Sequence, residues 1–98
     1  MTLELPTIEL FNDKVGQVFT VETAGFPPVE LTLTEAKPIK NYAKAAREPF
    51  SLIFTSKGVG VLPQRIYDLR NEALGLRPIF LVPIGVQGDV ATYQAIFN

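Results

Sequence analysis

The 98-residue chain reads as all-β, a small antiparallel six-stranded barrel with a two-sheet sandwich as the runner-up. Three observations predict it. Val29-Glu30-Leu31-Thr32-Leu33-Thr34-Glu35 alternates apolar and polar residues, the mark of an antiparallel strand with one solvated face. Ile79-Phe80-Leu81-Val82 has no polar residue and lies between Pro78 and Pro83, with Gly85 beyond. A short apolar run closed in this way reads as a buried strand, and its two apolar faces predict cover on both sides. Finally, Gly and Pro turn signals at nearly regular spacing separate the strand-like segments, as a meandering β chain requires.

Composition bounds the answer further. At 98 residues the chain is a single domain, 1–98, large enough for one hydrophobic core without metal or disulfide support. A hydrophobic fraction of 47% with a net charge of -1 is that of a globular protein and carries no general attraction to nucleic acid or acidic membranes. No apolar segment reaches the roughly 18–20 residues that cross a bilayer as a helix. The start, Met1 to Pro6, has neither a basic segment nor an apolar one of signal-peptide type. The expected location is a bacterial cytoplasm, either free or incorporated into a larger particle.

Taken in order, Pro6 to Val15 predicts a short N-terminal helix. Thr7 is its N-cap, Glu9 lies in its first turn, Ile8, Phe11 and Val15 form its apolar face, and Gly16 ends it. This helix is expected to plug one end of the barrel. Gln17 to Glu22 is a strand with Phe19 and Val21 on one face, and Gly25-Phe26-Pro27-Pro28 is a turn. Val29 to Glu35 is the second strand, with Val29, Leu31 and Leu33 pointing inward. Lys37 to Glu48 breaks the β pattern, and its Asn41 to Glu48 part predicts a helical turn limited by Pro38 and Pro49. Phe50, Leu52 and Phe54 are the core face of a third strand, Tyr67 and Leu69 of a fourth. Asn71 to Gly75 then connects to the central run, where Phe80 and Val82 are opposed to Leu81 and pairing is interrupted at Pro78 and Pro83. A loop through Gly88-Asp89 leads to the last strand, Ala91 to Asn98, with Phe97 in the core.

Histidine and cysteine are both absent, which removes the usual nucleophile–base pairs and the commonest zinc sites. Glu22, Glu30, Glu35, Asp68 and Glu72 fall on outward positions, and no dinucleotide or phosphate-binding motif occurs. The chain is therefore read as a non-enzyme with no cofactor, no metal and no catalytic residue. Lys37, Lys40, Lys44 and Arg47, interleaved with Tyr42, form the one local basic bias. A basic aromatic loop on a small barrel suits single-stranded nucleic acid, but Glu35 and Glu48 flank this one and the domain as a whole is slightly acidic. Lys40, Tyr42, Lys44 and Arg47 are therefore taken as candidate protein contacts. Phe26, in a turn between Gly25 and Pro27, joins them, as either a cap on the barrel mouth or an exposed contact.

Patterns along almost the whole chain carry a resemblance. They are Leu10-Phe11 with Val15-Gly16-Gln17-Val18-Phe19, Leu31-Thr32-Leu33, Pro49-Phe50-Ser51-Leu52-Ile53-Phe54, Leu62-Pro63-Gln64 before Tyr67, Leu74-Gly75, Phe80-Leu81-Val82-Pro83-Ile84-Gly85, and Tyr93-Gln94-Ala95-Ile96-Phe97-Asn98. In these the chain resembles a family of small bacterial domains of unknown function, whose members are often encoded beside phage tail collar or tail-fibre-like proteins. The shared residues are turn formers and core hydrophobics, so the resemblance implies a common scaffold and no common catalytic site. The Lys37–Glu48 loop departs most from the pattern. For partners it implies a tail- or fibre-like protein. The expected function is a non-catalytic binding or assembly module, engaged through an open strand edge with a partner or with its own copy. The alternative is a barrel that binds a small molecule or single-stranded nucleic acid.

Overall fold

The structure is a computed structural model that describes residues 7–22, 27–39, 49–58 and 61–97. Among these residues one short helix, α1 (Ile8–Asn12), precedes six strands: β1 (Val18–Val21), β2 (Val29–Pro38), β3 (Phe50–Lys57), β4 (Arg65–Asn71), β5 (Gly75–Gln87) and β6 (Val90–Phe97). The strands close into a barrel in the order β1-β2-β3-β6-β5-β4, and every neighbouring pair is antiparallel. Two three-stranded meanders, β1–β3 and β4–β6, are thus joined along two seams. The barrel, and not the sandwich, is the architecture, and among the described residues every strand has a neighbour on both sides, so no strand is the open edge expected for partner binding.

Alternation selects the interior. Phe19 and Val21 of β1, Leu31 and Leu33 of β2, Phe50, Leu52 and Phe54 of β3, and Tyr67 and Leu69 of β4 are buried. Ile79 and Leu81 of β5 and Ala91, Tyr93 and Ala95 of β6 complete this lining. A barrel of few strands has an interior just wide enough for side chains to fill, so these residues are its core. Two irregularities, between Leu33 and Glu35 and between Pro83 and Gly85, shift the register of β2 and β5. Such bulges bend and twist a strand, as a closed sheet requires.

Helix α1 plugs one end, as expected. Phe11 is buried, with its ring centroid 6.4 Å from Phe19, 5.9 Å from Phe50 and 5.8 Å from Phe97. Phe97 is half-buried and stacks on Phe50 at 4.6 Å. Gly16 takes a positive φ of 93° where the chain leaves the helical turn, and its N–H donates to the Leu33 carbonyl at 2.7 Å. That conformation costs glycine little, and here it turns the chain into β1. Two details of the helix differ from expectation. Val15 is exposed beyond the helix end, because α1 stops at Asn12, and the Thr7 hydroxyl makes no capping bond although its backbone is extended.

The larger corrections concern β2 and β5. Lys37 and Pro38 continue β2, paired with Ser51 and Phe50, so the β pattern does not break at Lys37. The helical turn expected over Asn41 to Glu48 falls outside the described residues. In β5 the apolar run is buried on one face only: Ile79 and Leu81 point inward, whereas Phe80 is 44% exposed and Val82 half-buried. The lumen offers cover to one face of each strand, and the only helix among the described residues sits at the barrel's end rather than outside β5. Nor do the prolines bracket the strand, which runs for 13 residues through both. Pro78 pairs with Asp68 on one flank and lies beyond the stretch from Val82 to Gln87 that pairs with β6, while Pro83 sits at the bulge. Both are places where a missing N–H breaks no regular ladder. Asn71, assigned to a connection by its sequence, is the buried last residue of β4.

Candidate functional site

The residues singled out as protein contacts, Phe26, Lys40, Tyr42, Lys44 and Arg47, all lie outside the described residues. What is described of their neighbourhood is the foot of the β2–β3 connection, where the Ile39 N–H donates to the Pro49 carbonyl at 2.9 Å.

Two other regions bring side chains together. The first is the outer face of the β4–β5 hairpin. Here Ile66, 64% exposed, stands directly opposite Phe80. Asp68 opposite Pro78 and Arg70 opposite Leu76 continue the same face, and Leu76 is also exposed. Cβ atoms directly opposite on an antiparallel pair lie roughly 4.5–5.5 Å apart, so Ile66 and Phe80 form one apolar surface instead of two isolated residues. Sequence reasoning gave both faces of the Ile79–Val82 run cover and so put Phe80 in the core, and the pair was missed. Alternation sets Ile79 and Leu81 on the face opposite Phe80, but in an all-apolar run it does not say which face is buried.

The second region is the barrel mouth. The chain from Val61 to Pro63 is held by two tyrosines: the Leu62 N–H donates to the Tyr93 hydroxyl at 2.9 Å, and the Tyr67 hydroxyl donates to the Pro63 carbonyl at 2.6 Å. Arg65 carries its guanidinium 5.7 Å from the centre of the Tyr67 ring. The hydroxyl of Ser56, inward-facing on β3, is buried without a hydrogen-bond partner among the described residues. Nothing in the sequence links these tyrosines to residues Leu62 and Pro63, because those contacts exist only once the barrel has closed.

Burial pushes the Tyr67 phenol above its ordinary value of 10.0, against the pull of Arg65 and with a small addition from Tyr93. As pH rises, the unfolded chain therefore releases this proton first. The contribution of Tyr67 to stability is intact at neutral pH and is lost as pH climbs past 10.0 toward the folded value. Denaturant melts from about pH 7 to about pH 11 should show stability falling on the alkaline limb, and less steeply in Tyr67→Phe. Equal slopes in the two proteins would contradict it.

The described carboxylates all lie on exposed positions, and among the described residues no group of three or more is placed to hold a metal ion. The ion pair between Arg70 and Glu22, at 3.6 Å, has both side chains more than half exposed. Such a pair stabilises by little. In comparisons with known proteins, neither a curated protein nor a solved structure matches the chain. A family model does match, over residues 6–97, which spans all six described strands of the barrel together with its helical plug. On that match the chain belongs to the family described as "Domain of unknown function (DUF6916)".

Proposed function

We propose that this domain is a non-catalytic assembly module that binds a protein partner through the outer face of its β4–β5 hairpin, and that the partner is a tail- or fibre-like protein of a larger complex. One observation carries the reading: an aromatic and a β-branched side chain, Phe80 and Ile66, stand opposite each other on the outside of a barrel whose interior is already filled. Contiguous exposed apolar surface marks interaction sites more often than it serves the monomer. Aromatic side chains are also enriched at the centres of protein interfaces, where they fill pockets on the partner. The kind of partner follows the family resemblance, whose members are often neighbours of tail and fibre proteins. The route differs from the one expected from sequence, since a closed barrel presents a side-chain surface in place of an open edge. A small-molecule or nucleic-acid reading has no observation in its favour among the described residues.

Capture of partners from the native cell, with the tag at Met1, tests this. The wild-type chain should retain a tail- or fibre-like protein that Phe80→Ser and Ile66→Ser lose. Both substitutions remove an exposed side chain, so each should change stability by less than about 1 kcal/mol. Retention of the partner by both folded variants would overturn the assignment of the surface.

A further inference from the structure

The two seams that join the meanders are unequal. β3 and β6 pair along their whole length, from Phe50 opposite Phe97 to Lys57 opposite Val90. Between β1 and β4 the described residues give two pairs, Thr20 opposite Arg70 and Val21 opposite Leu69. Where that ladder stops, a side chain takes over. The Asn71 amide donates to Gln17 Oε1 at 3.2 Å and to the Val18 carbonyl at 3.1 Å, across the seam. Its Oδ1 accepts from the N–H groups of Ala73 at 2.9 Å and Leu74 at 3.1 Å, on its own side. Asn71 is 3% exposed, so these bonds are shielded from water. The exposed Arg70–Glu22 pair crosses the same seam diagonally, from the pair beside Asn71 toward its far end.

We propose that the β1–β4 seam is the line along which this barrel opens, that Asn71 is its latch, and that the two edges so freed are filled by the same edges of a second copy of this chain. Opening here breaks fewer backbone bonds than opening any fully paired seam, and local opening proceeds where contacts are fewest. It also uncovers Phe19, Val21 and Leu69, which are buried in the closed barrel and need new cover. A second copy supplies edges that match these in backbone pairing, and the inward faces of the two opened sheets then pack on each other. β1 of one chain already matches β4 of the other in direction, register and apolar face, and β4 of the first matches β1 of the second. The arrangement is two-fold and reciprocal, so no edge is left to propagate a fibre. This inference does not depend on the outer surface of β4–β5, which stays outside in either state.

Paired cysteines distinguish one chain from two. Thr20→Cys with Arg70→Cys places thiols on residues directly opposite across the seam, and Thr55→Cys with Thr92→Cys does the same across β3–β6. The intact chain carrying T20C and R70C is held reduced over a range of concentrations, then oxidised and mapped by proteolysis. Disulfides joining position 20 of one chain to position 70 of another should appear as concentration rises, while T55C/T92C closes within one chain throughout. Adding N71D, which keeps an acceptor for Ala73 and Leu74 but loses the donors across the seam, should lower the concentration at which they appear by about tenfold. In the wild-type chain, amides of Val18–Val21 should exchange at least about tenfold faster than those of Leu52, Phe54 and Tyr93. One-chain disulfides only, links joining like positions, or equal exchange on the two seams would each overturn the proposal.

Discussion

Phe54→Ala is expected to lower the free energy of unfolding by about 3–5 kcal/mol, while Phe80→Ala, on the neighbouring half of the barrel, lowers it by less than about 1 kcal/mol. Both residues lie in strands rich in apolar neighbours, and sequence alone ranks Phe80 as the more central. The structure reverses that order. Phe54 faces the lumen between Leu33 and Tyr93 on the flanking strands, with the Phe19 ring edge-on at 5.4 Å. Removing it leaves a cavity that a closed, interdigitated interior fills poorly. The Phe80 side chain is already partly in water, and its loss removes only half-buried area. Urea melts of the two variants decide the matter, and equal losses would put Phe80 back in the core.

Phe11→Ala should cost a similar amount, about 3–5 kcal/mol, although it lies in a helix of five residues. An isolated helix that short has no stability of its own, since nucleation outweighs so few bonds. α1 is therefore held by Phe11, whose ring meets Phe19, Phe50 and Phe97 at the barrel end. Truncation removes the plug and wets those three rings, so the loss should appear as lower global stability together with rapid amide exchange in residues 10–14. A change below about 1 kcal/mol would show that α1 lies on the barrel without supporting it.

How far the residues disclosed this molecule depends on which interaction placed them. The inward sides of β2, β3 and β4 were legible, because alternation of Val29, Leu31 and Leu33 or of Phe50, Leu52 and Phe54 has one solution on a half-buried strand. The run Ile79 to Val82 was not, because four apolar residues in succession satisfy either face equally. Prolines at 78 and 83 looked like strand ends, and only the flank left without a β6 partner and the bulge made them tolerable inside β5. Asn71 carried a readable turn signal, an Asx residue followed by Gly75, but its contact with Gln17 spans 54 positions and no local pattern anticipates that.

By itself, then, the sequence determined the strand inventory, the inward faces of β2 to β4, the helical plug and the absence of the side chains that zinc and thiol or imidazole chemistry need. Those follow from propensity and periodicity, which act over a few residues. Tertiary structure decided closure over sandwich, the exposure of Phe80 beside Ile66, the tyrosine bonds to Leu62 and Pro63, and the Asn71 latch on a two-pair seam. Each of these depends on which strands become neighbours. That choice is made by the closing of the sheet, which brings β1 against β4 from opposite halves of the chain and leaves one lumen to bury one face of every strand.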